Sequence, residues 1–154
     1  MLARDLTDTL VQDGCRVTAG TVIDPYTGVE IAFVRGVSTS ALVQIDHLVA
    51  LSNAWQTGAQ QLTKQQREAL ANDPLNLLAV DGPTNSSKGD GDAATWLPPL
   101  KSFRCEYVAR QVSVKAHYGL WVTPAEHEAI MRVLGGCPDQ AAYLSALDGG
   151  IVAE

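Results

Sequence analysis

The chain has no long apolar run, no paired-cysteine motif, no internal repeat and no low-complexity segment. Each absence removes a class of protein. No stretch approaches the roughly 18 uninterrupted apolar residues of a membrane span, so no membrane partner is expected. Cys15, Cys105 and Cys137 stand outside any Cys-x-x-Cys or Cys/His cluster, which leaves no structural zinc site in view. The opening MLARDLTDTL lacks the basic-then-apolar pattern of a secretion leader. Cationic charge is scarce as well. The net charge of -6 argues, taken alone, against a nucleic-acid binder. The exception is the stretch from Lys101 to Tyr118, where Lys101, Arg104, Arg110 and Lys115 face Glu106 alone. That stretch reads either as a solvated basic helix face or as a local footprint for an anion.

The 154 residues, 46% of them hydrophobic, suffice for one globular domain with a core but not for two. The pattern predicts a domain over residues 1–138 and a loosely held acidic tail over 139–154. Residues 15–35 read as a hairpin, CRVTAGTVI and VEIAFV flanking a turn with Pro25 and Gly28. Val43–Val49 is a second β-rich run. Thr63 opens a helix with the T-K-Q-Q capping box, and PLNLLAVDG is a short strand. PTNSSKGDGDAATW reads as a loop running into a short helix. Helices are expected from Phe103 to His117, ending at Gly119, and after Thr123, with Pro124 at the first turn and Glu126 closing the box.

Chemistry concentrates in two segments. IDHLVAL places Asp46 beside His47 near the end of a strand, and NLLAVDGPTNSSKGD carries Asn76, Asn85 and Lys88. Asn85 and Lys88 are one helical turn apart. A carboxylate with an amide oxygen is hard-oxygen ligation suited to Mg²⁺ or Mn²⁺. An imidazole not spent on metal is free to act as a base near neutral pH. Those are the parts that phosphodiester hydrolysis needs: a base for water, a cation for the developing charge, and a cationic side chain for the phosphate.

Asp-His on one strand, Asn-Leu on the next and Asn-x-x-Lys on the following helix resemble the ββα-metal core of HNH endonucleases. The longer segments GVSTSALVQIDHLVALSNAW, NDPLNLLAVDGPTNSSKGDGDAATWLPP and FRCEYVARQVSVKAHYGLWVT are similar to an actinobacterial HNH family whose first motif residue is Asp. The resemblance implies an α+β fold with a ββα-metal core, an N-terminal β-hairpin and a C-terminal helical pair. It implies Asp46 and Asn85 as metal ligands and His47 as general base. Asn76 would fix the loop between the strands, and Lys88 would neutralise a phosphate oxygen. The implied activity is metal-dependent endonucleolytic hydrolysis of DNA, leaving a 3′-hydroxyl and a 5′-phosphate; the oligomeric state is not legible, and a monomer is taken as the working expectation. Low sequence specificity is expected because no base-reading module is visible. The alternative is a non-catalytic nucleic-acid-binding domain on the same scaffold.

Each residue also has a plainer reading. A lone strand histidine is usually structural, and Asp46 alone would be a turn residue. Asn85 could serve as an N-cap and Lys88 as a solvated lysine. Asp90 and Asp92 read as turn and cap residues, or as holders of a metal-bound water. His117 and His127 read as surface residues, and Trp55, Trp96 and Trp121 as core aromatics. In a regular strand Asp46 and His47 would face opposite ways, so sharing one site requires the strand to end or bulge there.

If the last two helices form an antiparallel hairpin, Cys105 and Cys137 each lie 13 residues from the connecting turn. That is about 20 Å of helix out and about 20 Å back, which predicts a disulfide and an oxidising compartment. Relatives with this pattern are expected to be exported and to continue upstream with another cysteine. Cys15 would then be unpaired and the N-terminus loosely ordered.

Overall fold

Two antiparallel sheets and a set of helices make up the computed structural model, which describes residues 1–145 and 147. The observed architecture is α+β, with the larger sheet N-terminal and the long helices C-terminal. A short helix α1 (Leu2–Asp5) precedes β1 (Thr7–Gln12), β2 (Arg16–Ile23) and β3 (Glu30–Val34), which pair in the order β1-β2-β3. The smaller sheet pairs β4 (Val43–His47) with β5 (Leu77–Asp81). Between them run α2 (Leu51–Gln56) and α3 (Lys64–Asn72). After β5 come α4 (Gly82–Lys88), α5 (Arg104–His117) and α6 (Pro124–Leu134).

The expected β2–β3 hairpin is present, with Ala19 opposite Val34 and Ile23 opposite Glu30. Its turn is tied inward by Asp24, which is fully buried. One Asp24 oxygen accepts from the Thr27 amide at 2.8 Å, and the other accepts from the Asp81 amide at 2.9 Å. The hairpin turn is thereby fastened to the junction of β5 and α4. Strand β1 was not foreseen. Five of its six residues are exposed and its register shifts twice, so no alternation marks it.

Helix α3 starts as its capping box predicts, with the Thr63 hydroxyl accepting from the Gln66 amide and the Gln66 side chain returning to the Thr63 amide. Helix α6 is capped by Thr123 with Pro124 in its first turn. Helix α4 corrects the expected order of loop and helix: it begins directly at the end of β5, capped by Asp81, and the loop follows it. Gly82 is needed there, because a Cβ would sit 2.0 Å from the carbonyl oxygen of Ala41. That close approach seats α4 against the entry to β4.

Three further expectations are revised. Arg110 and Lys115 do not form a solvated basic face; both are buried. Arg110 donates to the Leu75 carbonyl at 2.8 Å, and Lys115 donates to Glu126 at 2.8 Å, locking α5 to α6. The N-terminus is held, not loose. Arg4 donates to the carbonyls of Pro74 and Leu77, the Ala79 amide donates to Asp5, and Leu6 is buried. The described part of the tail is docked, since the Tyr143 amide donates to Ser113 and the Ser145 hydroxyl to Asp73. The rest of the expected tail, 146 and 148–154, lies outside the described residues.

Cys105 and Cys137 form the expected disulfide, with Cα atoms 6.0 Å apart. It joins the start of α5 to the segment after α6, as an antiparallel helix pair requires, and is consistent with an oxidising, extracellular setting. Cys15 is exposed and unpaired. No described helix is long and apolar enough to cross a membrane.

Candidate functional site

Strand β4 carries the two adjacent residues on which the site turns. Its ladder with β5 stays regular to the end, pairing Asp46 with Leu78 and His47 with Leu77. No bulge turns the two side chains together, so they alternate as a regular strand dictates. Gln44 and Asp46 share one face, and α4 lies along it. The Asn85 amide nitrogen donates to the Gln44 side-chain oxygen at 2.9 Å, and the Lys88 ammonium donates to Asp46 at 2.9 Å. Two residues one turn apart on a helix thus meet two residues one pleat apart on a strand.

Asp46 is buried with both oxygens engaged. Lys88 holds one; the hydroxyl of Tyr26 donates to the other. Tyr26 comes from the β2–β3 turn that Asp24 fastens in place, and it is wholly buried among Trp96, Phe103 and Tyr107. Burial, reinforced by the Asp46 charge, pushes the Tyr26 hydroxyl well above its ordinary value. It therefore remains a proton donor to Asp46. The Lys88 side chain is 0% exposed, and its ammonium also donates to the His47 carbonyl at 2.8 Å. Expected at a phosphate, that ammonium is bound inside instead.

His47 is half-buried and reaches the other way, with Nε2 2.9 Å from the carbonyl oxygen of Ala71 near the end of α3. A carbonyl oxygen only accepts, so Nε2 carries the proton in this contact. In the neutral ring, Nδ1 is left as the basic nitrogen. Asn76 is wholly buried and clamps the chain just beyond His47. Its side-chain oxygen accepts from the Val49 amide at 2.8 Å, its nitrogen donates to the Val49 carbonyl, and its own carbonyl accepts from the Leu48 amide.

The structure thus brings Asp46, Lys88 and the His47 backbone together, and places Asn85 on the same face through Gln44. The His47 ring is separated from them by the strand. Tyr26 and Gln44 were missed as partners in this role. Gln44 was legible from the two-residue period of the strand, whereas nothing local marks Tyr26, 20 residues away. Beside the end of α4, a polar cleft of about 390 Å³ is lined by Asn53, Gln56, Lys88, Asp90 and Trp96. Asp90 accepts from Gln56 at 3.0 Å and links the loop to α2, while Asp92 caps Ala94 and Thr95. His117 and His127 are exposed as expected, and Trp96 packs in the aromatic cluster. Trp55 and Trp121 are not core residues, being 54% and 46% exposed. Among the described residues no three His, Cys, Asp or Glu side chains gather to hold a metal ion.

An antiparallel strand pair with a following helix carries a carboxylate, an imidazole and an amide within an α+β domain. Residues 15–133 match the family described as the C-terminal domain of GmrSD restriction endonucleases, and the chain belongs to that family. It is 40% identical over 139 residues to an uncharacterized secreted protein of Arthroderma benhamiae, a match covering 89% of this chain. The chain spans 65% of the length of that curated relative. No solved structure matches it.

Proposed function

We propose that this domain is a metal-dependent HNH-type endonuclease acting on DNA, with His47 as the general base and a divalent cation held by Asp46 and Asn85. The observation that carries the reading is the 2.9 Å contact between His47 Nε2 and the Ala71 carbonyl oxygen. The Nε2–H is spent on that carbonyl, which orients the ring and leaves Nδ1 to accept a proton from water. Membership in a family described by restriction endonucleases supports the reaction class.

Asp46 and Asn85 offer oxygen donors of the kind that suits Mg²⁺ or Mn²⁺, and serving one phosphate together with His47 would require the imidazole to leave the Ala71 carbonyl and turn past the end of β4. Asp46 accepts one bond at each oxygen and so retains lone pairs, and Asn85 uses its amide nitrogen on Gln44, which frees its oxygen. When bound, the cation would neutralise charge on the phosphorane and the departing oxygen. The chain's own groups do the rest. His47 takes the proton as water attacks phosphorus, and the bond to the 3′ oxygen breaks, leaving a 3′-hydroxyl and a 5′-phosphate. Lys88 and Tyr26 hold the Asp46 carboxylate in place, and Asn76 fixes the backbone behind His47. Export follows as part of the same proposal, supported by the Cys105–Cys137 disulfide and by the description of the fungal relative as secreted.

The test is plasmid cleavage with and without Mg²⁺ or Mn²⁺, alongside calorimetric metal titration. His47→Ala should lose most cleavage while binding metal nearly as before. Asp46→Ala and Asn85→Ala should lose metal affinity and be partly rescued by excess Mn²⁺, since mass action restores occupancy but supplies no proton acceptor. Full activity of His47→Ala would sink the mechanism. Nucleic-acid binding without turnover by the wild type would favour the non-catalytic alternative.

A further inference from the structure

Helix α2, which follows β4, carries an aromatic ring that the fold leaves exposed. Trp55, on α2, is 54% exposed. The guanidinium of Arg67, on α3, sits 5.8 Å from the centre of that ring. Its position is fixed, because Arg67 also donates to the Leu62 carbonyl. Between the two helices runs a groove of about 150 Å³, with Leu51, Trp55, Arg67, Leu70 and Ala71 among its walls. Ala71 is the residue whose carbonyl holds His47 Nε2. One residue therefore belongs both to the groove and to the support of the proposed base.

We infer that Trp55 and Arg67 form a stacking subsite for an unpaired nucleobase of the substrate strand, next to the phosphate that His47 serves. Three features choose this occupant. The indole is 54% exposed although Arg67 lies over its ring, and its exposed part offers a sequence-tolerant surface on which any base stacks. The guanidinium beside it supplies the positive charge that a polyanion needs in a chain of net charge -6. The groove shares Ala71 with the contact that holds the His47 ring at the end of β4. A stacking platform reads no base edge, which agrees with low sequence specificity. The inference rests on the nuclease reading, and it places a base flanking the scissile phosphate at the α2–α3 groove.

The experiment is fluorescence anisotropy of a dye-labelled single-stranded DNA 12-mer titrated with the whole chain in EDTA, so that binding is read without cleavage. Trp55→Ala should weaken binding about ten- to hundredfold, the scale of one base–aromatic stack. Trp55→Phe should recover most of the loss, and Arg67→Ala should weaken binding and flatten its salt dependence. A fully abasic strand should bind wild type and Trp55→Ala equally. Unchanged binding by Trp55→Ala, in a wild type that binds and cleaves DNA, overturns the stacking subsite and leaves the nuclease reading intact. A wild type that neither binds nor cleaves overturns both. Trp121→Phe, a change at the other exposed tryptophan, should bind like wild type.

Discussion

Two lysine–carboxylate pairs are buried among the described residues, and they look alike in isolation. Lys88 meets Asp46 at 2.9 Å, with the two side chains 0% and 7% exposed. Lys115 meets Glu126 at 2.8 Å, with 4% and 1% exposed. Their surroundings differ. Lys115 and Glu126 join two helices end to end within the helical layer, and Glu126 also sits in the capped first turn of α6. Lys88 and Asp46 join β4 to α4, receive a tyrosine from a distant hairpin, and are backed by an amide one turn away. A buried ion pair is thus no mark of function by itself. Desolvation costs offset most of its Coulombic gain in either place. What separates the two is the company of further polar groups converging on one carboxylate.

The sharpest way to break the comparison is to remove one lysine at a time. Lys88→Met and Lys115→Met should each cost about 3–5 kcal/mol in urea unfolding, because each strands a buried carboxylate. Removing both partners, as in Lys115→Met with Glu126→Leu, should recover most of that stability and leave cleavage unchanged. The matching Lys88→Met with Asp46→Leu should recover stability without recovering cleavage. Equal cleavage by the two double variants would erase the distinction drawn here.

Reducing the helical side of the comparison comes next in size. Cys105→Ser with Cys137→Ser opens a loop closed across 32 residues, which should cost roughly 3–4 kcal/mol. Cleavage at temperatures where the variant stays folded should not change. Asn76→Ala leaves the Val49 amide and carbonyl unsatisfied in the core, at about 2–3 kcal/mol. It should also lower cleavage, because the chain beyond His47 loses its clamp. A stability loss with an unchanged rate would confine Asn76 to folding.

Tyr26→Phe is the smallest change, removing one hydroxyl from Asp46 at about 1–2 kcal/mol. Its pH signature is more telling. The folded-state value of Tyr26 is raised, chiefly by burial and then by Asp46. Folded and unfolded chains are both protonated below about pH 10, so its contribution is constant there. Above that, the unfolded chain releases its proton first and stability falls as pH rises. Tyr26→Phe should make that fall shallower, leaving the share due to the similarly buried Tyr107. Denaturant midpoints at pH 8 and above pH 10 would measure the difference.

Local chemistry determined what could be read without coordinates. The Thr63 and Thr123 caps, the β2–β3 hairpin, the strand ends and the Cys105–Cys137 pairing each depend on residues near in sequence or on helix length alone. The residue types of the candidate site were legible for the same reason. They fall in two short segments whose spacing follows strand and helix periods. Strand β1 was not legible, since a strand that buries almost nothing leaves no hydrophobic period. The buried roles of Arg110 and Lys115 were hidden too, because a cation on a helix looks solvated until its partners on other elements are known. Only the tertiary structure decided that Tyr26 would complete Asp46, that Lys88 would face inward, and that the His47 ring would turn to Ala71. Each contact spans at least 20 residues of chain, and its partner is chosen by how the hairpin, the smaller sheet and the helices pack. No periodicity encodes that choice; mutual burial does.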